Sequence, residues 1–166
     1  LQGLFLLGGG IGVSFLGAPG APLLDGSATD LRISLPAAED NFDAMCGEWK
    51  VGVTARHAKG LVLAQLELDG IESEESFGDG CPATGIRLED CTFCTVSNNT
   101  ITSLLGGKDP YSGTSGCSHD GGAAFGIRGI DCSGCVVVGN AITGLVGGDN
   151  QSGDGGAAFG ITFEGS

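Results

Sequence analysis

The sequence predicts an all-β fold, a right-handed parallel β-helix in which each repeat forms one coil and variable Gly-rich loops leave one edge. Three observations lead there. A 23-residue unit, Gly85 to Gly107, recurs along the chain, and its copies are separated by connectors of unequal length. Within each unit the apolar residues alternate with polar ones in short runs, which is the strand period rather than the helix period. Gly occupies 33 of 166 positions while 41% of the chain is hydrophobic, a combination that suits many short strands joined by tight turns.

The repeat is clearest between GIRLEDCTFCTVSNNTITSLLGG, from Gly85, and GIRGIDCSGCVVVGNAITGLVGG, from Gly126, at an offset of 41 residues (85 to 126). A third copy, GITF, starts at Gly160 after an offset of 34 (126 to 160). The seven-residue difference (41 against 34) falls in the connector, and both connectors run into DGGAAFGI. An earlier copy starts at Gly52, at an offset of 33 (52 to 85), with Ala58 and Leu61 where the later copies have Cys. A fainter one sets Ala28–Ile33 on Ala58–Leu63. The expected organisation is one solenoid domain over 1–166. Residues 1–51 form degenerate early coils, 52–84, 85–125 and 126–159 form successive coils, and 160–166 start a further one. Stacking at ~4.8 Å would let each strand pair above and below, because a lone coil cannot bury its apolar side.

Inside the unit, Cys94 and Val96 point one way and Thr95 and Ser97 the other. A bend near Asn98 and Asn99 resets the phase, and Ile101 points inward between Thr100 and Thr102. Leu63, Val96 and Val137 are expected to form one ladder, and Leu68, Ile101 and Ile142 another. Asn99 and Asn140 are expected to stack at the bend, where Asn tolerates a left-handed backbone and its amide bonds to its copy in the next coil. Leu66 interrupts that ladder in the older copy.

The pattern GI-x-x-x-x-C-x-x-C-x-V-x-x-N-x-I resembles the right-handed parallel β-helix repeat of pectin-lyase-like proteins. The connector GLVGGDNQSGDGGAAFGI is similar to those of very large repetitive bacterial surface proteins. The resemblance covers residues 52–166 well and 1–51 weakly. It implies the fold and leaves function open.

Charge narrows the partners. Seven Lys and Arg face twenty Asp and Glu, a net charge of −13, which excludes the basic footprint that nucleic acid or an anionic membrane requires. Leu1–Leu16 is apolar but lacks a basic start and is interrupted by Gly8, Gly9 and Gly10, so it reads as an early coil and not as a signal peptide or membrane span. The numbering is expected to start inside a larger or processed protein.

Seven Cys suggest an oxidising location, extracellular or at the cell surface. Three readings compete for Cys91, Cys94, Cys132 and Cys135, which neighbouring coils bring into one patch. They are disulfides or small packed thiols, a four-Cys metal site, or a redox pair. Ala and Leu in the older copy favour packing. Cys46 and Cys81 would meet if their loops stack. The loop acids Asp109, Asp120, Asp149 and Asp154 would bind Ca²⁺ if they converged, and otherwise solvate the loops. Arg87 and Arg128 stack, as do Asp90 and Asp131. Repeating the same residues in successive coils is the mark of a structural ladder, since catalysis needs one singular constellation. His57 and His119 read as isolated.

The expected role is therefore a structural or adhesive β-solenoid, a filament subunit or a segment of a giant repeat protein. Its expected partner is itself end to end, or flanking coils. The alternatives are a carbohydrate-active β-helix acting on polysaccharide as lyase or hydrolase, and a metal-binding Cys-ladder protein.

Overall fold

A computed structural model describes residues 5–7, 11–35, 50–73, 80–108, 120–149 and 155–165. Every regular element among them is a strand, and none is a helix. The strands are β1 (Phe5–Leu7), β2 (Ile11–Leu16), β3 (Leu23–Leu24), β4 (Ser27–Thr29), β5 (Arg32–Leu35), β6 (Lys50–Arg56), β7 (Ala58–Lys59) and β8 (Val62–Ala64). They continue as β9 (Glu67–Glu72), β10 (Ala83–Glu89), β11 (Thr95–Ser97), β12 (Thr100–Leu105), β13 (Ala124–Ile130), β14 (Val136–Val138), β15 (Ala141–Val146) and β16 (Ala158–Glu164).

They assemble into three long sheets and one short one. The orders are β2-β6-β10-β13-β16, β4-β8-β11-β14, β1-β5-β9-β12-β15 and β3-β7. All strand pairings are parallel. Each turn of chain visits the long sheets in that order and then starts the next layer. The architecture is all-β, built of parallel sheets and compatible with a β-solenoid. In every layer the variable connector lies between the third long sheet and the first.

Register follows the repeat. Ile86 pairs with Val53 and Ile127, Val96 with Leu63 and Val137, and Ile101 with Leu68 and Ile142. Ala28 and Ile33 extend the last two columns by one rung. Leu63, Leu68, Ile86, Val96, Ile101 and Leu104 are fully buried. Each contributes roughly 1.5–3 kcal/mol of apolar burial that one layer alone would not provide.

The Gly of the Gly-Ile motif has a steric reason. Gly12, Gly52, Gly85, Gly126 and Gly160 form a column in the first sheet. A Cβ on Gly85 would lie 2.6 Å from the Gly126 carbonyl oxygen and 2.9 Å from Ile101 Cγ2. The column lets the backbone of the first sheet close on the isoleucines of the third. A second fit uses size: Gly129 sits between Leu88 and Phe163, and the Phe163 ring occupies the space a Cβ on Gly129 would need.

Corners come from left-handed residues in columns. Asp25, Gly60, Phe93 and Gly134 form one, and Asp30, Gln65, Asn98 and Gly139 another. His57, Asp90, Asp131 and Gly165 form a third, and Gly70, Ser103 and Gly144 bend the strands of the third long sheet. Single left-handed residues are tolerable for Gly, Asn and Asp but costly for a bulky side chain such as Phe93.

Two expectations need correction. Ala28 lies on Leu63, an offset of 35 (28 to 63), and not on Ala58. The reason is an insertion at a second corner. Leu16 pairs with Arg56 at an offset of 40 and Leu23 with Ala58 at 35, and between them Ala18 and Ala21 form a small antiparallel turn. Length variation is therefore not confined to the connector edge. The left-handed residue at the corner between the second and third long sheets is also Asn98 at φ 53°, and not Asn99.

Candidate functional site

The Asn column is the most fully bonded polar feature. Asn99 is 1% exposed and sits just after the left-handed Asn98. Its Oδ1 accepts the Leu66 N–H at 2.9 Å. Its Nδ2 donates to the Leu63 carbonyl at 3.2 Å and to Asn140 Oδ1 at 2.8 Å. Asn140 Oδ1 also accepts the Asn99 backbone N–H at 3.0 Å, and Asn140 Nδ2 donates to the Val96 carbonyl at 2.9 Å. Each amide thus serves the corner of the layer before it. Leu66 ends the side-chain ladder, yet its backbone N–H still joins it.

The four cysteines of the repeat come together at the neighbouring corner. All are free thiols, with Cys91 and Cys94 buried and Cys132 and Cys135 half-buried. They point at carbonyls. Cys91 Sγ donates to Glu89 O at 3.3 Å and Ala55 O at 3.5 Å, and Cys94 Sγ to Ala58 O and Thr92 O, both at 3.6 Å. Cys132 Sγ reaches Ile130 O at 3.3 Å, and Cys135 Sγ reaches Cys91 O at 3.7 Å. Each buried thiol bonds its own layer and the one below, a packed small hydrophobe with a weak donor.

Electrostatics supports that role. The Cys91 thiol is drawn down by Cys132, but hydrogen bonding with Cys94 and burial outweigh this and leave it above the ordinary range. Hydrogen bonding with Cys91, then burial, push Cys132 far up. Burial leads the rise at Cys135. Cys94 alone falls, because Cys91 bonds to it more strongly than burial opposes. Redox attack needs a thiolate, and three of these four thiols resist ionisation. Among the described residues no group of three or more His, Cys, Asp or Glu is arranged to hold a metal ion.

The remaining candidates divide. Cys81 is disulfide-bonded; Cys46, the partner expected for it, lies outside the described residues. Of the loop acids, Asp120 and Asp149 are exposed beside the connector, while Asp109 and Asp154 lie outside the described residues. His119 does too.

Interlayer ion pairs were not foreseen. Arg56 Nη2 meets Glu89 Oε2 at 2.8 Å across layers, and Arg87 Nη2, on the same strand as Glu89, meets the same oxygen at 3.1 Å. Arg128 binds Glu164 through Nε at 3.1 Å and Nη2 at 3.0 Å and lies 4.5 Å from the Phe125 ring centroid. Phe125 stacks on Phe159 at 5.1 Å. His57 is not isolated, for its Nδ1 lies 3.6 Å from Asp90 Oδ2. Thr102 Oγ1 donates to Asp69 Oδ1 at 2.7 Å, which holds the Asp69 carboxyl below its usual range. The 33-residue offset places Arg56 on Glu89 and Asp69 on Thr102. Only unlike residues matched by register, and not like by like, would have revealed these pairs.

No protein family, curated protein or solved structure matches the chain.

Proposed function

We propose that the chain is a segment of an extracellular or cell-surface right-handed parallel β-helix of the pectin-lyase-like type, with a structural or adhesive role. The observation that carries this is repetition: Asn, Cys, Gly and left-handed columns recur in equivalent places in successive layers, bonded to one another. The right-handed sense is supported by the strong preference of parallel crossover connections. The disulfide at Cys81 supports an oxidising compartment, where such bonds persist. The acidic composition speaks against nucleic acid, and no helix among the described residues is long and apolar enough to cross a membrane.

The edge formed by β14, β15 and β16 has the chemistry to receive a further turn of the same repeat, from flanking chain or a second copy. Val137, Ile142 and Leu145 are only partly buried there, and Ile161 and Phe163 are exposed. A second copy docked head to tail would make a contact that does not close, giving filaments. The polysaccharide lyase or hydrolase alternative finds Arg56 and Arg87 paired with Glu89, and Arg128 with Glu164. Antibodies against the folded chain, applied to intact cells of its source, test the reading. Surface labelling is expected, whereas labelling only after permeabilisation refutes it.

A further inference from the structure

The connectors leave and rejoin the stack through paired small residues whose backbones interlock. The chain departs through Gly106–Gly107 after β12 and Gly147–Gly148 after β15. It returns through Gly80–Cys81, Gly121–Gly122 and Gly155–Gly156 ahead of β10, β13 and β16. The Gly107 N–H donates to the Cys81 carbonyl at 2.8 Å and the Gly122 N–H to Gly107 O at 2.9 Å. The Gly148 N–H donates to Gly122 O and the Gly156 N–H to Gly148 O, both at 2.8 Å. Returning and departing legs therefore alternate along one continuous hydrogen-bond ladder through residues 81, 107, 122, 148 and 156.

Interleaving leaves no room for a side chain at Gly122, Gly148 or Gly156. A Cβ on Gly122 would stand 2.1 Å from Cys81 O, on Gly148 1.9 Å from Gly107 O, and on Gly156 2.0 Å from Gly122 O. Real Cβ atoms essentially never come within 3.0 Å of such atoms. Gly155 differs, since its Cβ would lie 3.6 Å from Gly148 O, an ordinary contact. None of these positions needs a left-handed backbone, so close approach alone demands the glycine.

The two connectors held by this ladder differ twofold in length. Fourteen residues lie between Gly107 and Gly122 and seven between Gly148 and Gly156, yet both are fixed by the same bonds at their base. We propose that the ladder is a clamp that uncouples the connectors from the stack, making this edge a loop-carrying face where each layer bears a segment of free length and sequence. The clamp satisfies the buried backbone groups at each loop base, and loop-closure entropy beyond it grows only with the logarithm of length.

Three measurements on the whole chain test this together. Inserting eight Gly-Ser residues between Asn150 and Gln151 is expected to leave the urea midpoint unchanged, while the same insertion between Asn98 and Asn99 lowers it sharply. Gly156→Ala is expected to lower the midpoint or abolish folding, while Gly155→Ala is expected to keep it. In the unaltered protein the amides of Gly107, Gly122 and Gly148 are expected to exchange with deuterium as slowly as strand amides. Equal damage from the two insertions, equal behaviour of the two Ala variants, or fast exchange at those amides would each overturn the proposal.

Discussion

Replacing Asn99 is the sharpest perturbation the stack offers. In Asn99→Ala the buried Leu66 N–H loses its acceptor, at about 1–3 kcal/mol for an unsatisfied buried group. The two Nδ2 donations, to Leu63 O and Asn140 Oδ1, disappear as well, at roughly 0.5–1.5 kcal/mol each. The sum is about 2–6 kcal/mol, roughly 4–24 °C in Tm at ~2–4 °C per kcal/mol for a chain this size. Asn140→Ala is expected to cost only about 1 kcal/mol, because Asn140 is half-buried and water can replace its bonds. Asn99→Asp adds a sign test. Its carboxylate would face the Leu63 and Asn140 oxygens where an NH₂ stood, so its folded-state pKa lies above its unfolded one. The penalty is then full above the folded pKa and fades as pH falls through it, as the carboxyl regains a donor. Urea unfolding followed by far-UV circular dichroism at several pH values reads all three. An Asn99→Ala loss below 1 kcal/mol, or one matched by Asn140→Ala, refutes the reasoning.

Other expectations follow from the same geometry. Gly85→Ala is expected to cost about 1–3 kcal/mol or more by overpacking against Gly126 O and Ile101, measured by the same unfolding assay. Phe93→Asn is expected to raise stability by up to ~1 kcal/mol, since Phe93 is 64% exposed at φ 55° and Asn accepts that backbone more readily. In denaturant without reductant, mass spectrometry after alkylation is expected to find Cys91, Cys94, Cys132 and Cys135 labelled and Cys81 unlabelled. Thr102→Val is expected to bring the Asp69 carboxyl back up toward its usual range, read by NMR titration.

How far the fold was legible depended on where like residues met like. Between Gly85 and Gly126 the columns repeat Ile on Ile, Asn on Asn and Cys on Cys, so register could be counted directly. The first layer shares few identities with the second and carries its extra residues around Ala18–Ala21, so a gapless alignment slipped by five, from 35 to 30. Such a turn is compatible with many registers until the strands beyond it pair. The left-handed columns were half visible. Asp, Asn and Gly announce such corners, but nothing in Phe93 does, and only its place between Gly60 and Gly134 explains it. The thiols were legible as a cluster, but what they bond depended on carbonyls of another layer. The paired glycines of the connectors stood out in composition. Their necessity appears only where Gly148 passes Gly107 O in space.

Successive layers stack in parallel at the repeat register. Through-hydrogen-bond scalar couplings in NMR measure it most directly. The Thr95 amide is expected to couple to the Leu61 carbonyl, the Val136 amide to the Cys94 carbonyl, and the Ala141 amide to the Asn99 carbonyl. Couplings from these amides to carbonyls of neighbouring strands within one layer, as in hairpins, would contradict the stack outright.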